Sequence, residues 1–256
     1  MPRILVVNDD GIGSDGIGVL ARALQPLGEV TVVAPDGDRS GTSHSISVHS
    51  AVRAQAMPEG GLRRFACSGT PADCVLLGVN ELCGGRPDLV VSGINRGANL
   101  ADDVNYSGTV AAAVEATITG IPAIAVSLVS SWPKADPVHY WDVAANVARQ
   151  LAADVLGEPL PPGTYWNVNV PNLAELRGVR FTRLGRKQYA ERLARVEGDE
   201  DAGTAFYWVW DMSHLGGGDD TDTVAVDAGY ASVTPLQIDR TDEATLQLYA
   251  KRMLPV

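Results

Sequence analysis

The chain is short of the features that mark several large protein classes. Only three of its 256 residues are cysteines. Cys67, Cys74 and Cys83 lack C-x-x-C spacing and sit in apolar surroundings, which argues for buried reduced thiols over a disulfide framework or a zinc site. No uninterrupted apolar run approaches the roughly 20 residues needed to span a bilayer. The opening Met-Pro-Arg-Ile-Leu-Val-Val-Asn-Asp-Asp reaches two acids too soon for the apolar segment of a signal peptide, and the expected compartment is the cytoplasm. Positive charge is scarce as well: Lys+Arg 20 against Asp+Glu 31 leave a net charge of −11. That field repels a nucleic-acid duplex or an anionic membrane. A small phosphorylated ligand remains open wherever a cation or helix N-termini reverse the field locally.

What is present is an ordinary globular composition, 45% apolar and 20% charged. The length suits a single core with an appendage better than two equal domains. Aliphatic runs at Ile4–Val7, Val30–Val33, Arg64–Cys67, Leu89–Val91, Ile121–Leu128 and Thr164–Val170 read as strands. Between them Gly16–Leu24, Ala72–Leu82, Thr109–Thr119 and Pro137–Leu156 read as helices. Short β-rich runs separated by helices predict an α/β fold, a doubly wound and mostly parallel sheet, over residues 1–180. Residues 181–222 leave that pattern. A basic run, Arg183–Arg195, an acidic run, Glu197–Asp201, and the aromatic strand Phe206–Trp210 predict a protruding hairpin. Residues 223–256 then return through strand-like Val224–Val226 and Ala231–Pro235 to a closing helix, expected to cover the core, from Thr241 to about Met253.

The first loop, Asn8-Asp9-Asp10-Gly11-Ile12-Gly13-Ser14-Asp15-Gly16, contains a literal G-x-G-x-x-G, and Asp36 follows Gly16 by 20 residues. By pattern alone this is a dinucleotide fingerprint. Its acids oppose that reading: beside a diphosphate, like charges about 4 Å apart repel by roughly 4 kcal/mol at an effective dielectric of about 20. A divalent cation between carboxylates and phosphate resolves the conflict. The plainer alternative is that Asp9 and Asp10 only cap a helix and shape a turn.

Two further loops follow strands and are polar and Gly-rich. Asp36–His44 carries Ser40, and Ser92–Asn99 carries Asn95. In a doubly wound sheet such loops gather at the switch point, so Asp9, Asp10, Ser40 and Asn95 are expected to converge as an all-oxygen set for Mg²⁺, Mn²⁺ or Ca²⁺. Ser107 is placed to be the N-cap of the Thr109 helix. The N–H groups of Gly108 and Thr109, with the Ser107 and Thr109 hydroxyls, are expected to form an anion site, unless Ser107 is a cap only. His44 lies near this region, either assisting proton transfer or as a satisfied loop histidine. There is no G-x-x-x-x-G-K-[ST] loop, no alternating acid pair of aspartyl-phosphate phosphatases and no G-x-S-x-G elbow.

Five segments in order carry a resemblance over nearly the whole chain: Asn8-Asp9-Asp10-Gly11, Arg39-Ser40-Gly41-Thr42, Ser92-Gly93-Ile94-Asn95, Tyr106-Ser107-Gly108-Thr109-Val110 and Ser232-Val233-Thr234-Pro235-Leu236. Together they resemble the SurE family, metal-dependent nucleotidases of the stationary-phase survival type. The resemblance implies one divalent cation per subunit on Asp9, Asp10, Ser40 and Asn95, with Asn99 and Ser107 on the phosphate side. It implies a phosphatase of nucleoside monophosphates, a 5′-nucleotidase with 3′ activity left open, in which Asp9, Asp10 and Ser107 are catalytic. Two rivals stay on the table, a dinucleotide-dependent oxidoreductase and a nucleotide sensor without turnover. An isolated hairpin is marginal in water, so the excursion is expected to pack on a second copy of the chain, with Trp208 and Trp210 at that interface. The resemblance adds dimers or tetramers built by exchange of C-terminal segments.

Overall fold

The alternation of aliphatic and amphipathic segments becomes strand–helix units in the computed structural model, which describes residues 1–57, 60–130, 138–188, 193–196, 206–209 and 214–250. In chain order these are β1 (Arg3–Val7), α1 (Asp15–Leu24), β2 (Glu29–Pro35), β3 (Ala54–Ala56), β4 (Arg63–Cys67), α2 (Pro71–Leu77), β5 (Leu89–Arg96), α3 (Gly108–Ile118), β6 (Ala123–Val129), α4 (Trp141–Gly157), β7 (Thr164–Pro171) and β8 (Val179–Phe181). There follow β9 (Arg186–Gln188), β10 (Leu193–Val196), β11 (Phe206–Val209), β12 (His214–Gly216), α5 (Asp222–Asp227), β13 (Ala231–Gln237) and α6 (Glu243–Tyr249).

One sheet runs β3-β4-β2-β1-β5-β6-β7-β13-β8. From β4 through β7 every pairing is parallel, whereas β13 is antiparallel to β7 and β3 to β4. The winding goes outward from β1 to β2 and β4, then reverses through β5, β6 and β7, so the switch point lies between β1 and β5. Period-two alternation in the strands feeds two cores. Ile4 and Val6 pack with α1 and α4 on one face, while Leu5 and Val7 pack with α2 and α3 on the other. Helix α3, Gly-Thr-Val-Ala-Ala-Ala-Val-Glu-Ala-Thr-Ile, is buried on nearly every side. A helix apolar all round belongs inside a core, and its small residues let it sit close to β5 and β6. The three cysteines are free and buried.

The excursion is present as two short ladders, β9 with β12 and β10 with β11, both antiparallel. Its base is tied to the turn after β5. Lys187 pairs with Asp103 at 2.5 Å, and the buried Asp222 carboxylate accepts N–H groups from Ala101, Gly185 and Thr223. Trp210, Glu197–Asp201 and Met253 lie outside the described residues.

Three expectations need correction. Val224–Val226 is in helix α5, not a strand: its Thr-Val-Ala-Val pattern has strand periodicity, but the Asp222 hydrogen bonds fix the first turn. Helix α4 begins at Trp141, four residues after the expected Pro137. The terminal helix does not close the core, since Glu243–Tyr249 is exposed throughout, Leu246, Leu248 and Tyr249 included. Among the described residues no helix is long and apolar enough to cross a membrane.

Candidate active site

The carboxyl ends of β1 and β5 present the conspicuous residues. Asn8, fully buried, staples the first loop: its amide donates to the Gly11 carbonyl and the Ser14 hydroxyl, and its amide oxygen accepts the Gly11 N–H. Gly11 has φ +96°, and a Cβ there would come within 3.0 Å of the Gly37 carbonyl carbon, so only glycine lets the loops after β1 and β2 close together. Gly16 lets α1 approach β5, since a Cβ there would fall 2.2 Å from the Ile94 carbonyl oxygen. The literal dinucleotide motif thus serves packing and turn geometry, and Asp36 is engaged by Arg39 and Arg53.

Asp9 is 3% exposed, with both oxygens committed to the head of α3. Oδ2 accepts the Thr109 N–H at 3.0 Å and Oδ1 the Thr109 hydroxyl at 2.5 Å. The carboxylate thereby lies on the positive end of α3. The fit is tight: a Cβ on Gly108 would meet the Asp9 Cβ at 2.8 Å. The Arg39 N–H donates to the Asp9 carbonyl at 2.8 Å, bringing in the loop after β2. Asp10 accepts the Arg96 N–H at 3.0 Å, which joins the loop after β5. A register shift between Ser92 and Asn95 interrupts the β5 ladder, which resumes with Asn95 opposite Ser127, and such bulges re-aim side chains. The Asn95 amide nitrogen donates to the Gly97 carbonyl, leaving its oxygen as the acceptor end.

Burial raises the pKa of Asp9 against the opposing Thr109 hydrogen bonds. Burial and then the neighbouring Asp9 charge push Asp10 up to about 6. Asp38 adds negative potential at both. Asp38 was missed in the sequence, although its place two residues before Ser40 was a usable signal. Ser40 itself is exposed, and its N–H and hydroxyl both donate to Asp38, at 2.8 and 2.5 Å. Its loop reaches Asp9 through Arg39, while its hydroxyl is turned to Asp38.

Ser107 is the N-cap of α3 and accepts the Val110 N–H at 3.1 Å. The Gly108 N–H carries no hydrogen bond among the described residues. Thr109 stands differently from the expectation: fully buried, it spends its N–H and hydroxyl on Asp9, not on an open anion site. Asn99 is held by a network invisible at sequence level. Its N–H donates to Asn169 Oδ1, its carbonyl accepts from Asn167 and Asn169, and its side-chain amide donates to Ser127. The buried Asn167 and Asn169 share one face of β7, and their i, i+2 spacing was the available clue. His44 Nε2 lies 2.8 Å from Glu115 Oε2 and, with Ser107, lines a cavity of about 160 Å³.

Two adjacent carboxylates of raised pKa and the Asn95 oxygen are donors of the kind a hard divalent cation takes, and its charge would offset their repulsion. Among the described residues no third carboxylate, histidine or cysteine completes a metal cluster with them. Comparison with known proteins finds relatives along nearly the whole chain. The family model described as "Survival protein SurE" matches residues 4–191. A "5'/3'-nucleotidase SurE" of Cronobacter sakazakii is 47% identical over 93% of this chain and 91% of its own. A "5'-nucleotidase SurE" of Nitrosococcus oceani is 47% identical over 97% and 96%. The crystal structure of the SurE protein from Aquifex aeolicus superposes with a TM-score of 0.83 at 39% identity, covering 98% of this chain and 100% of that one.

Proposed function

This chain belongs to the SurE family, and we propose that it is a metal-dependent phosphatase that hydrolyses nucleoside 5′- and 3′-monophosphates to nucleoside and phosphate. The observation that carries the reading is the clasp of Asp9 by Thr109 at the head of α3, with Asp10 alongside, at the switch point of the sheet. Asp9, Asp10 and Asn95 would hold one Mg²⁺ or Mn²⁺, with Ser40 and Asp38 on the loop that meets them. When bound, the cation supplies positive charge to the phosphoryl group and lowers the pKa of the attacking water.

The protein's own residues hold the substrate against that charge. Ser107 uses a lone pair on the Val110 N–H, so its hydroxyl proton is available to a phosphoryl oxygen, and the Gly108 N–H is available beside it. Asn99 has a second amide hydrogen beyond the one given to Ser127. Thr109 is a positioning residue that fixes Asp9. Because the Asp9 bond occupies the Thr109 N–H, the phosphate cradle is narrower than the loop sequence suggests.

The exposed apolar side chains Phe206, Tyr207, Leu246, Leu248 and Tyr249 lie on the excursion and the terminal helix. They support a homodimer or homotetramer joined through residues 181–222 and the C-terminal segment, around a core of residues 1–180. The free, buried cysteines support a cytoplasmic enzyme, and the acidic charge supports one that binds neither nucleic-acid duplex nor membrane. The test is phosphate release from a panel of 5′- and 3′-nucleoside monophosphates in Mn²⁺, Mg²⁺ and excess chelator. Turnover restored by metal supports the reading. Full turnover after exhaustive chelation, or nucleotide binding with no phosphate released under any metal, refutes it.

A further inference from the structure

A second cavity, of about 300 Å³, opens beside Asp10 on the face of the sheet that carries α1 and α4, opposite α3. Asp10, Ser14, Asp15, Arg96, His139 and Trp141 line it. The His139 and Trp141 rings are stacked, with centroids 5.3 Å apart and planes within 12°. This aromatic wall is held in place. Asn172 accepts the Tyr140 N–H at 2.9 Å and donates to the Val138 carbonyl at 2.8 Å, clamping the segment that carries His139. Trp141 packs against the α1–α4 core, and its ring comes within 3.1 Å of where a Cβ on Gly16 would lie. Inside this wall His139 Nε2 is buried and has no hydrogen-bond partner among the described residues.

We propose that this cavity takes the nucleobase of the substrate, with the base ring against the His139–Trp141 stack. The proposal rests on the reading that Asp9 and Asp10 hold the phosphate end through a cation. Asp10 lines the cavity too, so a ligand anchored there extends into it without leaving the protein. The volume sits at the small end of ligand pockets, about 300–1,000 Å³, as suits a base with its ribose. Every base has a π-face, so stacking gives affinity with little choice between bases. The Asp15 carboxylate and the Arg96 guanidinium at the rim offer an acceptor and donors to its edge. The smaller cavity beside Ser107 is a poorer candidate, because it measures only about 160 Å³ and Nε2 of its His44 is already paired with Glu115. The cavity of about 620 Å³ at Arg86–Asp88 and Pro159–Gly163 lies at the amino end of the strands, away from the carboxylates.

The test compares His139→Ala, Trp141→Ala and Trp141→Tyr on AMP and on ribose 5-phosphate, which carries no base, and measures adenosine binding by calorimetry. Loss of one base–aromatic stack should lower kcat/KM for AMP about tenfold or more, mainly through KM. Ribose 5-phosphate turnover should fall far less, and Trp141→Tyr should recover most of the loss. His139→Ala keeps the experiment decisive if Trp141→Ala does not fold. Equal losses on both substrates, or an unchanged AMP/ribose 5-phosphate ratio in folded His139→Ala, overturn the proposal. Adenosine binding separates it from the phosphatase reading. Adenosine bound by wild type and weakened in His139→Ala supports the base site even if wild type releases no phosphate. Wild type that hydrolyses AMP but binds adenosine no better than His139→Ala does overturns the base site alone.

Discussion

Replacing Asp10 with Asn should make the metal-free protein more stable and the enzyme inactive. The carboxyl of Asp10 is raised from 3.8 to about 6 by burial and by Asp9 beside it. A rise of about two pKa units, at about 1.4 kcal/mol each, sets a ceiling of about 3 kcal/mol on what the ionised form costs the fold. The sign follows from proton linkage. A folded-state pKa above the unfolded value means that the native state holds the proton more tightly. Metal-free stability therefore falls as pH rises from about 4 to about 6, and the cost persists above that window. Asparagine removes the charge yet keeps an oxygen to accept the Arg96 N–H, so the loop should remain intact.

In chelator at pH 8, Asp10→Asn should gain about 1–3 kcal/mol, or roughly 3–9 °C in Tm for a chain of this size. At pH 4 the two proteins should melt together. Saturating Mn²⁺ should invert the order, since a ligand at about 100 times its Kd adds about 2.7 kcal/mol to the protein that binds it. Thermal unfolding followed by circular dichroism, with and without metal at both pH values, reads all of this. A variant that melts below wild type in chelator at pH 8 would refute the reasoning, because Asp10 would then be a structural acceptor and not a charge held for a cation.

Other substitutions probe the head of α3 and the excursion. Gly108→Ala should drive the new methyl against Asp9, lowering Mn²⁺ affinity and activity by at least tenfold while far-UV circular dichroism stays unchanged; wild-type kinetics would show that Asp9 can shift freely. Thr109→Val should cost about 1.5–3 kcal/mol, the scale of a hydrogen bond to a charged group, and should lower kcat, with Thr109→Ser restoring both in denaturation and rate measurements. Ser107→Ala should cost about 0.5–2 kcal/mol as a lost cap and should also reduce kcat; stability lost with kinetics intact would leave Ser107 a cap only. Replacing residues 189–213 with a short Gly/Ser turn should shift the protein towards monomer in sedimentation velocity, and a wild type already monomeric at micromolar concentration would sink that expectation.

The parallel sheet was legible because its strands are buried on both faces and read as aliphatic runs, as Ile4–Val7 and Ile121–Leu128 do. The switch point was legible too, since acids and a glycine follow β1 and a glycine and an asparagine follow β5. What the sequence hid falls into two kinds. Three-residue strands such as β3 and β8 carry too few residues for any period to show. Helix α5 read as a strand because β-branched residues alternate there, and the hydrogen bonds from Ala101 and Gly185 that fix Asp222 come from residues far along the chain.

Thr109 marks the limit most clearly. A small, polar loop ahead of a helix announces an N-terminus that wants an anion, and the Ser-Gly-Thr run says so plainly. It cannot say which anion. Two candidates exist in this chain, a phosphate from outside and a carboxylate from within, and the hydrogen-bond donors are the same for both. The choice is made by a contact spanning 100 positions, in which Asp9 takes the Thr109 N–H and hydroxyl. That contact changes the chemistry assigned to the helix. Its positive end and the Thr109 bonds oppose the burial that raises the Asp9 pKa, so on the proposed reading α3 would serve a cation ligand first and offer Ser107 and Gly108 to the phosphate second. A phosphate held only by α3 would need no metal. One held beside the carboxylates of Asp9 and Asp10 would need a cation to offset their charge.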